Sequence, residues 1–460
     1  MTDAVAAWSD AIRAGVAQRV ARVQPGRLIE RYGRVVRIRG GVVDVTGLPA
    51  PSGARCLIEA YDGQWLPADV IGFDADALRL IPHAGTRGIT RGAIVRQVET
   101  APMPAVGWGL LGRVVDGEGR PLDGAPLPQL THRWPLLGRL INPLERKPVS
   151  HIMDCGVRSI NALATLGRGM RIGLFAGSGV GKSTLLGMMA RHVRADIVVV
   201  ALIGERGREV TEFIKHSLGS EALKRAVVVA APADTSALSR IHAAHLASAV
   251  AEFFRHEGKD VVLMVDSLTR LAMAGREVGL AAGEPPVMRA YPPSVFSLIA
   301  SYLERAGQGR AGEGSITGLY TVLVEGDDPI ADPVADTARA TLDGHIVLSR
   351  SIADSGLYPP VDPERSLSRV MNGIVEPRHR AMALRFKALW SRLQQKRDLL
   401  DIGAYRTGSD PLLDAAVGAQ DAIANLLRQN LEDDCSYTDS TAALAGITER
   451  TDEHDAQAQH

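Results

Sequence analysis

The sequence predicts an α/β protein with an N-terminal small β-barrel, a central, mainly parallel sheet covered by helices, and a C-terminal α-helical domain. Three observations lead there. Short β-rich runs broken by glycine fill residues 32–98, near-continuous apolar strands alternate with helical stretches over 156–375, and an apolar face of helical period begins after Pro377.

The barrel rests on runs such as 33–38, 41–45 and 92–98, several short strands with turn signals between them. Residues 101–148, rich in Gly and Pro, read as a long connection lying on the next domain. In that domain the strand candidates are 170–176, 197–203, 226–230, 261–265, 315–324 and 344–348. Their unbroken apolar character indicates strands buried on both faces of a parallel sheet. Beyond Pro377, Met382, Phe386, Leu389, Trp390, Leu393 and Leu400 fall on one helical face. At the other end, Val5, Trp8, Ile12, Val16 and Val20 recur at spacings of three and four, the stripe of a short amphipathic helix with Asp3 near its start. The expected organisation is a helix in 1–24, a barrel in 25–100, the sheet domain with its linker in 101–377, a helical domain in 378–440 and a disordered, polar tail in 441–460.

Composition narrows the class. A chain of 460 residues, 46% hydrophobic and 23% charged, folds into two or three globular domains. Lys and Arg total 52 and Asp and Glu total 52, so no basic field marks the surface for nucleic acid, and none is expected as a partner. Cys56, Cys155 and Cys435 have no metal or disulfide spacing, which suits a reducing cytoplasm. No apolar run approaches the ~18–20 residues of a membrane span, and no basic segment with an apolar core marks a secretory signal.

The chemistry centres on one loop. A strand at 171–175 runs into Ala176, Gly177, Ser178, Gly179, Val180, Gly181, Lys182, Ser183 and Thr184, and a helical stretch follows at 185–192. Strand, glycine loop and helix in that order form a phosphate-binding loop. Its backbone N–H groups turn toward phosphate oxygens, Lys182 reaches the β- and γ-phosphates of ATP, and Ser183 is placed to ligate Mg²⁺. Ala176 stands where the usual pattern has its first glycine. A second apolar strand, 261–265, ends in Asp266, a carboxylate suited to the magnesium ion; by itself such an aspartate is as readily a helix cap. The strand 197–203 ends in Gly204, Glu205, Arg206, Gly207, Arg208 and Glu209, charge where a strand meets the site, although such a run is often only a solvated helix start.

Together these segments, with Asp266 to Arg270, Gly283 to Pro286, Tyr291 to Phe296 and Glu325 to Asp328, resemble the type III protein-export ATPases, cousins of the catalytic subunit of rotary ATP synthases. The resemblance covers roughly residues 25–430 and implies a RecA-like nucleotide domain. Runs 175–183 and 186–191 look more like the flagellar branch than the virulence-secretion branch. By the resemblance, Glu205 activates water, Arg206 lies near the γ-phosphate, and Glu209 joins the magnesium water shell. Tyr358 stacks on adenine, and Arg369 is an arginine finger inserted into the neighbouring subunit's site. It further implies a homohexamer that hydrolyses ATP with Mg²⁺ at the cytoplasmic face of the inner membrane, peripherally associated with an export gate, chaperones and export substrates. The N-terminal helix is then the segment that binds a dimeric regulator or stator protein. The alternatives are a virulence-type secretion ATPase, a rotary ATPase subunit, an RNA-translocating hexameric helicase and a non-catalytic ring subunit. The last would lack a catalytic carboxylate, which Glu205 supplies, and the helicase would carry a barrel richer in basic and aromatic residues.

Overall fold

The computed structural model describes residues 31–324 and 332–458, with side chains described to residue 451. The expected helix in 1–24 and the run Glu325 to Asp328 lie outside the described residues. The chain divides into two compact units after Thr100.

The first unit is a closed antiparallel barrel of β1 (Tyr32–Arg39), β2 (Val42–Thr46), β3 (Arg55–Glu59), β4 (Trp65–Asp74), β5 (Ala77–Pro82) and β6 (Ile94–Glu99), in the order β1-β2-β5-β4-β3-β6. Alternation drives it: in β5 every second residue is buried, and Val43, Val45, Cys56, Ile58, Val70, Leu80 and Val95 fill the interior. Pairing of Tyr32 with Arg96 and Arg34 with Ile94 closes the barrel, leaving no open edge.

In the second unit the main sheet comprises β7 (Val114–Val115), β8 (Arg171–Ala176), β9 (Ile197–Ile203), β10 (Ala226–Ala231), β11 (Asp260–Asp266), β12 (Ser315–Leu323), β13 (Gly344–Leu348) and β14 (Leu367–Ser368). Their order is β14-β13-β8-β12-β11-β9-β10-β7, parallel along this path except for β14, and a ninth short strand, Gly307–Gln308, pairs antiparallel with β12. Every residue of β9 and β10 is buried, as strands covered by helices on both faces require. The long connection is more than a wrapping: within it Val114 and Val115 extend the sheet edge beside Val228 and Val229. Its Trp134 Nε1 donates to buried Glu252 at 2.8 Å, and Glu252 also pairs with Arg305 at 2.7 Å.

Four helices matter below: α1 (Lys182–His192), α2 (Ala237–His256), α3 (Leu268–Ala281) and α4 (Pro293–Leu303). C-terminal to the sheet, α5 (Pro377–Asp401), α6 (Pro411–Gly418), α7 (Gln420–Leu427) and α8 (Tyr437–Ala458) share a core with Ala162, Leu163, Ile352 and Leu357 of the sheet region. On α5, Phe386, Leu389, Trp390 and Leu393 are buried as the period requires, while Met382 and Leu400 pack at its margin.

One expectation needs correction. The tail expected to be disordered from 441 is helical to Ala458, because Leu444 and Ile447 bury fully against α5 and α6 and the interleaved Ser440, Thr448 and Thr451 are buried with them. The expected C-terminal helical domain is present and packs on the sheet region within one compact unit, and His379 links Ala162 O (2.7 Å) to the Tyr437 hydroxyl (2.9 Å).

Candidate active site

Central strand β8, between β12 and β13, carries the loop out of the sheet at its C-terminal edge. Ala176 is still the last strand residue, paired with Leu323 and Leu348 and buried. A methyl group there packs into the core, which explains why this first loop position tolerates alanine. The turn itself needs glycine: Gly179 (φ 77°) and Gly181 (φ 92°) adopt left-handed backbone. Gly181 is the N-cap of α1 and brings no side chain to its first N–H groups, so the helix N-terminus faces the loop free to bind an anion. Val180 anchors the loop in the core, while Ser178, Ser183 and Thr184 are exposed at its mouth.

Three groups converge behind the loop. The Lys182 ammonium lies 2.5 Å from Asp266 Oδ1 and 3.5 Å from Glu205 Oε1. Asp266, at the end of β11, is almost fully buried, and Thr321 Oγ1 on the neighbouring strand donates to its Oδ1 at 2.8 Å. The alternative of a simple helix cap is not what forms, since the Ser267 hydroxyl caps α3 instead. Glu205 follows β9 and Gly204, and its Oε1 is buried without a hydrogen bond. Burial, then the nearby Asp266 carboxylate, push its pKa up to about 7 against the opposing pull of Lys182 and Arg270. A carboxyl poised near neutrality is suited to taking a proton from water.

The remaining expected residues are arranged differently. Arg206, the N-cap of the short helix Gly207–Glu212, pairs with Glu209 at 3.2 Å, with the Arg206 side chain 84% exposed. Tyr358 stands beside the loop, half exposed: a β-carbon added at Gly181 would lie 4.0 Å from its ring. Arg369 is elsewhere. Its N–H bonds Asp343 O, which precedes β13, and Asp343 in turn bonds Arg171 at the start of β8. The phosphate loop leaves the other end of β8, so about 15–20 Å of strand separates Arg369 from its own loop.

The donor set fits a magnesium nucleotide: an open helix N-terminus and an ammonium for phosphates, with a hydroxyl at Ser183 and a carboxylate at Asp266 for a hard cation. Sequence reasoning missed Thr321, Arg270 and Arg350. Arg350 Nη2 donates to Ser178 O at 2.8 Å and ties the segment leading to Tyr358 onto the loop. Thr321 left a faint signal, a hydroxyl near the C-terminal end of a buried strand; Arg350 left none.

Comparison with known proteins agrees with this architecture. The ATP synthase alpha/beta family nucleotide-binding domain matches residues 156–368, its beta-barrel domain residues 35–99, and the T3SS EscN ATPase C-terminal domain residues 375–446. The "Flagellum-specific ATP synthase" of Salmonella typhimurium is 50% identical over 426 residues, covering 90% of this chain and 93% of that one. The "Type 3 secretion system ATPase" of Xanthomonas euvesicatoria is 44% identical, covering 91% and 94%. Among solved structures, the assembled ATPase EscN from the type III secretion system of enteropathogenic E. coli superposes with a TM-score of 0.85 at 41% identity, covering 90% of this chain and 99% of that chain. A second structure holds EscN with its central stalk EscO and superposes with a TM-score of 0.83 at 40% identity, covering the same shares.

Proposed function

This chain belongs to the flagellar and type III secretion ATPases of the ATP synthase alpha/beta family, and we propose that it hydrolyses ATP between the subunits of a homohexameric ring to energise export of flagellar proteins. The observation that carries the reading is the division of one site's parts. Lys182, Asp266 and Glu205 meet behind the loop, whereas Arg369 lies at the far end of the same sheet.

The loop from Ala176 to Thr184 binds the phosphates, with Lys182 on the β- and γ-phosphates and Tyr358 against the base. Ser183 and Asp266 would hold Mg²⁺, with Glu209 in its water shell, and the ion supplies charge neutralisation at the phosphate oxygens. Glu205 orients water and takes its proton, and Arg206 stands at the γ-phosphate side. Arg369 of the next subunit stabilises charge developing on the transferred phosphoryl group, an effect on the order of 10³-fold or more.

Among the described residues no helix is long and apolar enough to cross a membrane. The place of action we assign is the cytoplasmic face of the inner-membrane export gate, with chaperones and export substrates as partners. The segment in 1–24 is assigned to a dimeric regulator or stator, in keeping with the stalk that accompanies EscN. A virulence-type system is the second reading, favoured by the 44% identity to the Xanthomonas enzyme. The test is hydrolysis by the purified chain. Magnesium-dependent ATPase activity that Lys182→Ala abolishes is expected; no activity at any protein concentration overturns the reading. Restored swimming in a flagellated bacterium lacking its own export ATPase selects the flagellar branch.

A further inference from the structure

The second unit exposes three leucines within eight residues: Leu137 at 69%, Leu140 at 100% and Leu144 at 94%. The loop that carries them is firmly held. Its first end is fixed where Arg305 Nη1 donates to Leu136 O at 2.9 Å. Its other end is fixed where Arg146 donates to Glu304 O at 2.8 Å and to Ala306 O at 2.7 Å. Both ends therefore sit on the same short turn after α4. Within the loop, Asn142 Oδ1 caps a single 3₁₀ turn, Pro143–Glu145, and Glu145 pairs with Arg310 at 2.6 Å. An ordered loop that holds leucines in water carries a cost that only a partner offsets, and its order means little entropy is lost on docking.

Its place in the fold selects the partner. Glu304 is ion-paired with Arg171, Arg171 with Asp343, and the Asp343 carbonyl accepts the Arg369 N–H. The leucine loop and Arg369 are thus joined by a short run of contacts along the strand-start end of the sheet. We infer that Leu137, Leu140 and Leu144 form the apolar part of the surface by which one copy of this chain docks on the next, beside the arginine it delivers. This rests on the reading that Arg369 serves a neighbouring copy.

The test is the ATPase rate per chain against concentration of the full-length native protein and of the double variant Leu140→Asp/Leu144→Asp, with fluorescent ADP binding by the dilute chains as the measure of an intact fold. The expected result is a midpoint at least tenfold higher for the variant, with unchanged ADP binding and a plateau approaching the native one. Superimposable native and variant curves overturn the inference while leaving the shared-site reading standing. A native rate independent of concentration overturns both. A second arm is independent of activity: the native cysteines at 56, 155 and 435 are buried, so a benzophenone maleimide attaches at Leu140→Cys. Illumination with nucleotide present should give adducts of two chains, and their absence overturns the inference.

Discussion

Lys182 Nζ lies 2.5 Å from Asp266 Oδ1, so a cation and an anion that are 84 residues apart in the chain neutralise each other at the phosphate loop. A triphosphate competes with Asp266 for that ammonium, and a divalent cation resolves the competition by taking the carboxylate. Asp266→Asn should therefore bind ADP about 3- to 10-fold more tightly without magnesium, and should lose ATP hydrolysis with magnesium by roughly 100-fold or more. Titration with fluorescent ADP, with and without magnesium, checks the first half. Weaker metal-free binding would contradict it.

Glu205 gives the site a pH dependence. Its pKa is raised to about 7 from the ordinary 4.5 by burial and by Asp266. Between those values the folded chain keeps a proton that the unfolded chain has lost. Stability therefore falls as pH rises from 4.5 to 7 and stays lowered above, by up to about 3 kcal/mol. Glu205→Gln, which cannot ionise, should melt above the native chain at pH 8.5 and alongside it at pH 5. With the ionised form acting as the base we propose, native kcat/KM should rise through an apparent pKa near 7. Melting curves and a pH–rate profile test the two halves separately.

Thr321 positions Asp266 through a 2.8 Å hydrogen bond to the same oxygen that Lys182 holds. Thr321→Val keeps the shape and removes the donor, and a hydrogen bond to a charged group is worth about 1.5–3 kcal/mol. The variant should hydrolyse ATP roughly 10-fold more slowly, with kcat reduced more than KM is raised, and Thr321→Ser should restore the rate. Equal rates for Thr321→Val and the native chain would remove Thr321 from the positioning role.

Much of this was legible in the chain because buried parallel strands announce themselves. Residues 197–203 and 344–348 coincide with observed strands, and the others differ by one residue at one or both ends. The loop residues at 176–184, with Lys182 and Asp266, were legible for the same reason: a strand ends and chemistry begins at a sheet edge. What escaped were polar contacts between distant segments, such as Arg350 on Ser178 and Trp134 and Arg305 on Glu252. No local pattern encodes them, since each partner looks like an ordinary surface residue until the fold buries it. Helix α8 escaped for a related reason. Its buried face combines Leu444 and Ile447 with Ser440, Thr448 and Thr451, so the segment reads as polar although it is packed.

The central claim is that each site is completed by a second copy, and mixing two inactive variants tests it most directly. Glu205→Gln and Arg369→Ala should each be inactive by themselves, because one lacks the base and the other the finger. In a ring assembled from equal parts, about a quarter of the interfaces carry both native groups, so the mixture should regain roughly that fraction of the native rate. A mixture as inactive as its components, or an Arg369→Ala chain that hydrolyses ATP at the native rate, would contradict the claim.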